Sequence, residues 1–246
     1  MWILRRFNFA LLMLAALAMP AAAAGLTILS PASAAAGASE LAARFTARTG
    51  IAVTVGGGGR DKIFAILKDG APADVVLLPS SDFNNLPQVT NVVPLGRIAV
   101  GVAVKAGSPA PDISTPEKFR AILLAAKGVA YADPAAGTSA GKVIDRMLSA
   151  PEFSGVRRVP VQGLAVGGLL SGKADIALQM LPELAVNKDV MLAGPVPVAY
   201  GAGVDFSVAI AAASGDAGQA KALIAFLTSP QAAATWRAKG LETVAQ

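Results

Sequence analysis

The chain contains no cysteine and no histidine. Without cysteine it has no disulfide, no thiol nucleophile, no thiolate metal site and no lipid-modified cysteine to tether an exported protein. Without histidine it has no Ser-His-Asp or Cys-His apparatus, no HExxH helix and no imidazole-held metal. Neither a metal nor a cofactor is expected, and any proton transfer must fall to carboxylates, lysine, tyrosine or arginine. Long apolar runs are also lacking: past residue 24 none reaches the roughly 18 residues of a membrane span. Lysine and arginine nowhere cluster among aromatics, which argues against a nucleic-acid partner.

What is present begins with a distinctive N-terminus. Arg5 and Arg6 precede an apolar run from Phe9 to Met19 and a small-residue stretch, Pro20-Ala21-Ala22-Ala23-Ala24. A charged start, an apolar run of about ten residues and an Ala-x-Ala exit are the parts of a cleaved secretory signal. Residues 1–24 therefore predict export, leaving 222 residues (246 minus 24) whose formal charge falls from +5 to +3 as the two arginines are removed. No membrane insertion is expected after cleavage, and a soluble, monomeric periplasmic protein follows. The mild positive balance suits a small anion.

From Leu26 onward, short β-prone runs alternate with amphipathic stretches, the rhythm of a parallel α/β sheet. Strands are expected at Leu26–Leu29, Ala52–Val55 and Val75–Leu78, with helices at Gly37–Arg48 and from Ile63 to Gly70. Residues 80–91 read as a loop, and Ile98–Val104 as a strand crossing to a second series of units. That series has a helix capped at Ser114-Thr115-Pro116-Glu117, strands at Val129–Tyr131, Val159–Val161 and Asp175–Leu178, and helices from Thr138 and over Leu164–Ser171. Val204–Ile210 returns, and two helices, Ala217–Leu227 and one opened by Ser229-Pro230, close the chain with no strand expected after them. The expected division is lobe 1 at 25–98, lobe 2 at 99–203 and a return to lobe 1 at 204–246, with a cleft between lobes.

Several segments carry a resemblance: Leu26-Thr27-Ile28-Leu29-Ser30-Pro31-Ala32-Ser33, Glu40–Phe45, Gly70-Ala71-Pro72-Ala73-Asp74-Val75, Asp133-Pro134, Gly172-Lys173-Ala174-Asp175-Ile176 and Ala225–Ala233. In order and spacing they resemble the periplasmic molybdate-binding components of ABC transporters, over essentially all of the chain after residue 24. The resemblance implies the two-lobed type 2 periplasmic-binding-protein fold and capture of a small anion for a membrane permease.

At the ligand positions the chain departs from that family. Ser33 falls on the family's first ligand serine, but the second aligns with Arg60, preceded by Gly56–Gly59 in place of a serine-rich turn. Pro79, which has no N–H, stands where the family uses a backbone donor, and Met180 where it uses a tyrosine. Gly58, Gly59 and Arg60 together let backbone N–H groups approach an anion while a guanidinium grips it with two parallel hydrogen bonds, a geometry made for planar carboxylates. From the second lobe, Thr138 and Ser139 at a helix start, with Gln162 and Gln179 near strand ends, are the remaining ligand candidates.

Two functions follow. One is a solute receptor for a molybdate-like oxyanion or a di- or tricarboxylate. The other is an isomerase, because a divergent branch similar to this chain includes periplasmic aconitate isomerase. An isomerase needs a base, and the candidates are Asp61, Asp82, Asp133, Glu183, Tyr131 and Tyr200. Asp133 is expected in a turn and Glu183 in an exposed loop. A carboxylate of raised pKa facing the space before Arg60 would favour the enzyme.

Overall fold

The computed structural model describes residues 25–244; the expected signal segment lies outside the described residues. In chain order the elements are β1 (Leu26–Ser30), α1 (Ala32–Thr49), β2 (Val53–Gly57), α2 (Arg60–Lys68) and β3 (Val75–Pro79). A short 3-10 turn at Ser80–Asn85 leads into β4 (Val89–Lys105). Then come α3 (Pro116–Ala125), β5 (Val129–Ala132), α4 (Ser139–Leu148), β6 (Arg158–Val161), α5 (Val166–Leu170), β7 (Ile176–Met180), α6 (Leu181–Ala185) and β8 (Val190–Pro195). The chain ends in β9 (Gly203–Ala211), α7 (Ala217–Leu227), α8 (Pro230–Ala238) and β10 (Leu241–Thr243).

The strands lie in the order β2-β1-β3-β9-β4-β7-β5-β6, with β8 and β10 also paired to β4. Two parallel trios, β2-β1-β3 and β6-β5-β7, are joined by antiparallel strands, so the sheet is mixed and not the parallel one that the alternation predicts. β4 makes the join. Its residues Val89–Ala99 pair with β9, and Val100–Ala103 pair with β7.

Each trio is locked by an aspartate immediately before its last strand. Asp74 accepts from the Thr27 N–H at 2.8 Å and from the Ser214 hydroxyl at 2.7 Å. Asp175 accepts from the Gly128 N–H at 3.3 Å and from Lys127 N–H at 3.1 Å. The two Ala-Asp motifs that carry the resemblance thus hold the start of the neighbouring parallel strand, satisfying N–H donors that lie just before the strand pairing begins.

The terminal helices return to α1. Phe226 of α7 packs on Phe45 with ring centroids 5.7 Å apart, and Arg44 donates to Thr235 of α8 at 2.7 Å. Trp236 is fully buried, its indole N–H donating to the Leu227 carbonyl at 2.8 Å. Its ring lies so close over Gly37 that a Cβ there would meet it at 2.5 Å.

Four sequence expectations are corrected. α1 begins at Ala32, five residues before Gly37, because an alanine-rich run with Pro31 ahead of it is itself a good helix start. β2 extends through Gly56 and Gly57, which pair with Leu29 and Ser30, so the glycine run is half strand. Residues 80–91 hold a 3-10 turn and the beginning of β4. Beyond α8, where no strand is expected, β10 pairs antiparallel with Gly96–Ile98. Among the described residues no helix is long and apolar enough to cross a membrane.

Candidate anion-binding cleft

The turn from β1 into α1 places Ser33 in the first helical turn, where it is buried. Beside it, Gly57 and Gly58 adopt φ of +124° and +132°, and a Cβ on Gly57 would lie 2.6 Å from the Ser30 carbonyl oxygen. Only glycine passes there, and the chain arrives at Gly59 as N-cap and Arg60 as the first residue of α2. From the other half of the sheet, Thr138 caps α4, its hydroxyl accepting from the Gly141 N–H at 3.1 Å, and Ser139 follows.

These three helix starts line one cleft of about 390 Å³, within the usual range for small-ligand sites. Ser33, Gly58, Gly59, Arg60, Thr138 and Ser139 all face it, and so does Gln179. Unpaired N–H groups and the positive ends of three helix dipoles are thereby aimed at one space, the electrostatic requirement for an anion. Much of the remaining wall is apolar, supplied by residues such as Leu78, Ile144 and Phe206.

Arg60 is held in place. Its Nε donates to Asp82 Oδ1 at 3.1 Å, its Nη1 donates to Asp61 Oδ1 at 3.3 Å, and its guanidinium carbon stacks 4.0 Å from the Phe64 ring centroid. Asp82 also lines the cleft; its Oδ2 is buried without a hydrogen-bond partner among the described residues. Asp61 points to solvent, with its side chain 87% exposed.

The third charged side chain of the cleft is Glu183. It stands in the first turn of α6, not in an exposed loop, and burial pushes its carboxyl above the usual carboxylate range, a rise partly opposed by a hydrogen bond from Gln179. That bond runs from Gln179 Nε2 to Glu183 Oε2 at 2.8 Å, while Gln179 Oε1 accepts from the Ala165 N–H at 2.8 Å. Gln179 is therefore committed at both ends of its amide.

Gln162 is not brought to the cleft; it is exposed and donates to Asp133 Oδ2 at 2.9 Å. Asp133 also caps its own turn by accepting from the Ala135 N–H. Tyr131 is buried with its hydroxyl on Asp145 at 2.8 Å, and burial, then that bond, pushes it up to about 12. Tyr200 donates to the Pro116 carbonyl. Pro79, which has no N–H, and Met180, whose thioether is no donor, face the cleft. Glu183, expected in an exposed loop, is helical; the sequence signal for this is Pro182 in a first turn directly after a strand.

Residues 26–242 match the family described as bacterial extracellular solute-binding protein. The chain belongs to that family. It is 32% identical over 181 residues to the aconitate isomerase of a Pseudomonas species, a match covering 70% of this chain and 68% of the relative. Among solved structures it is similar to a Clostridium difficile protein described as the substrate-binding domain of a molybdenum ABC transporter, with a TM-score of 0.71 and 16% identity. That likeness covers 90% of this chain and 100% of the other. The periplasmic molybdate-binding protein of Azotobacter vinelandii gives a TM-score of 0.63 at 19% identity, again over 90% and 100%. The fold of this solute-binding family member is thus the two-lobed α/β fold of type 2 periplasmic binding proteins.

Proposed function

We propose that the chain is a periplasmic solute-binding protein that captures a small polycarboxylate, of di- or tricarboxylate size, and delivers it to an ABC-type permease. The observation that carries this reading is Arg60, braced by Asp82 and Asp61 and stacked on Phe64 at the rim of a helix-start cleft. Two of its five N–H donors are engaged by these acids, which leaves a preoriented fork for a planar carboxylate. The apolar wall suits the hydrocarbon frame between carboxylates. Tetrahedral molybdate would find no backbone donor at Pro79 and no side-chain donor at Met180. In this reading residues 25–98 and 204–244 form one lobe and 99–203 the other, and export through the signal at 1–24 places the protein in the periplasm.

A second reading is an isomerase acting on a tricarboxylate such as aconitate. Glu183 favours it: a carboxylate of raised pKa lines the same cleft as Arg60. The similarity to a Pseudomonas aconitate isomerase supports the same ligand class.

A thermal-shift panel of molybdate, tungstate, sulfate, citrate and both aconitates tests the primary reading, since a ligand bound to the native state raises its apparent stability. Shifts with the tricarboxylates are expected. Shifts with molybdate or tungstate alone would overturn it.

A further inference from the structure

Resting on the isomerase reading, we propose that Glu183 is the proton-transferring base of the cleft and that Gln179 is its positioning residue. Among the described residues, Arg60, Asp82 and Glu183 are the charged side chains that line the cleft. Arginine stays protonated, so it cannot accept a proton. Asp82 already holds Arg60 through Oδ1, and its Oδ2 is inaccessible. The other candidates are elsewhere: Asp61 faces solvent, Asp133 closes a turn, and the hydroxyls of Tyr131 and Tyr200 are donated to Asp145 and Pro116.

Glu183 differs from all of these. Only its Oε2 receives the Gln179 amide, leaving Oε1 for a ligand. The amide cannot turn over, because the Ala165 N–H requires an oxygen at the other end. A buried donor to one oxygen and an unengaged second oxygen fix the carboxylate in one orientation. Burial raises its proton affinity toward what a base working near neutrality needs.

Interconverting the two geometrical isomers of an unsaturated tricarboxylate requires that the double bond lose its rigidity. Glu183 takes a proton from the methylene carbon next to the double bond. The C–H electron pair joins the allylic system, whose charge is spread onto carboxylates held by Arg60 and the helix starts. The conformation about the former single bond is retained in the allylic system, Glu183 returns the proton to the far allylic carbon, and the double bond forms one position along with the other geometry. No atom is gained or lost, and no oxidant or co-reactant is needed.

The test follows both aconitates by proton NMR in heavy water with the full chain, alongside calorimetric binding of tricarballylate, the saturated analogue. Wild type is expected to interconvert the isomers and exchange the allylic protons. Glu183→Gln is expected to slow both by roughly 10²–10⁴-fold while binding tricarballylate within about threefold of wild type. A second variant, Glu183→Asp, retracts the carboxylate by one methylene and should exchange about tenfold or more slowly at unchanged tricarballylate affinity. Wild-type turnover in Glu183→Gln would overturn the assignment of Glu183 and leave the isomerase reading standing. Tricarballylate binding by wild type without interconversion or exchange would overturn both and leave the receptor.

Discussion

Gln179 and Glu183, four residues apart across the junction of β7 and α6, are joined by a 2.8 Å hydrogen bond whose direction is dictated by a third group, the Ala165 N–H. Burial pushes the Glu183 carboxyl above the usual carboxylate range. Because the folded-state pKa of Glu183 is raised, the native protein holds that proton more tightly than the unfolded chain. The stability this contributes is complete below the ordinary carboxylate pKa and is lost as pH rises through the folded value. Wild type should therefore lose stability relative to Glu183→Gln in thermal denaturation as pH rises above the ordinary carboxylate range. Arg60 and Asp82, the other charged groups of the cleft, are common to both proteins. Parallel stability curves would contradict the assignment.

Arg60→Lys replaces a planar fork with a point charge while keeping the formal charge. Loss of the Asp82 brace and of the paired donors to ligand should weaken polycarboxylate binding by about 1.5–3 kcal/mol, or roughly 10- to 150-fold, by calorimetry. Retention of wild-type affinity would show that charge alone suffices.

Gly57→Ala forces a Cβ to within 2.6 Å of the Ser30 carbonyl at a φ of +124°. A loss of about 1–3 kcal/mol in denaturant unfolding is expected, together with weaker ligand binding, since the distorted turn carries Arg60. Unchanged affinity would separate the turn from the site.

Much of the scaffold was legible because local chemistry decided it. Thr115 and Thr138 cap α3 and α4 as their positions predict, and Ala217–Leu227 is helical to the residue. The mixed sheet was not legible, because the direction of β4 and β9 depends on partners more than 100 residues apart, such as Arg97 and Asp205. Nor was β10, three residues long, whose pairing with β4 is tertiary. In the cleft, Ser33, the glycine turn with Arg60, Thr138, Ser139 and Gln179 all face one space, because residues after parallel strands converge there. Gln162 satisfies the same rule by position, yet Asp133 captures its amide.

Gly37→Ala probes the scaffold far from the ligand. The added methyl would meet the Trp236 ring at 2.5 Å, and a fully buried indole hydrogen-bonded to Leu227 has no room to move. Overpacking should cost about 1–3 kcal/mol in urea unfolding, with polycarboxylate affinity unchanged at temperatures where the variant is folded. A neutral substitution would mean that α8 shifts to accommodate it.

Calorimetric titration of the wild-type chain with tricarballylate and, in parallel, with molybdate measures directly what the cleft binds. Saturable binding of tricarballylate, with no heat from molybdate, is the predicted result. Saturable binding of molybdate, with none of tricarballylate, would contradict it.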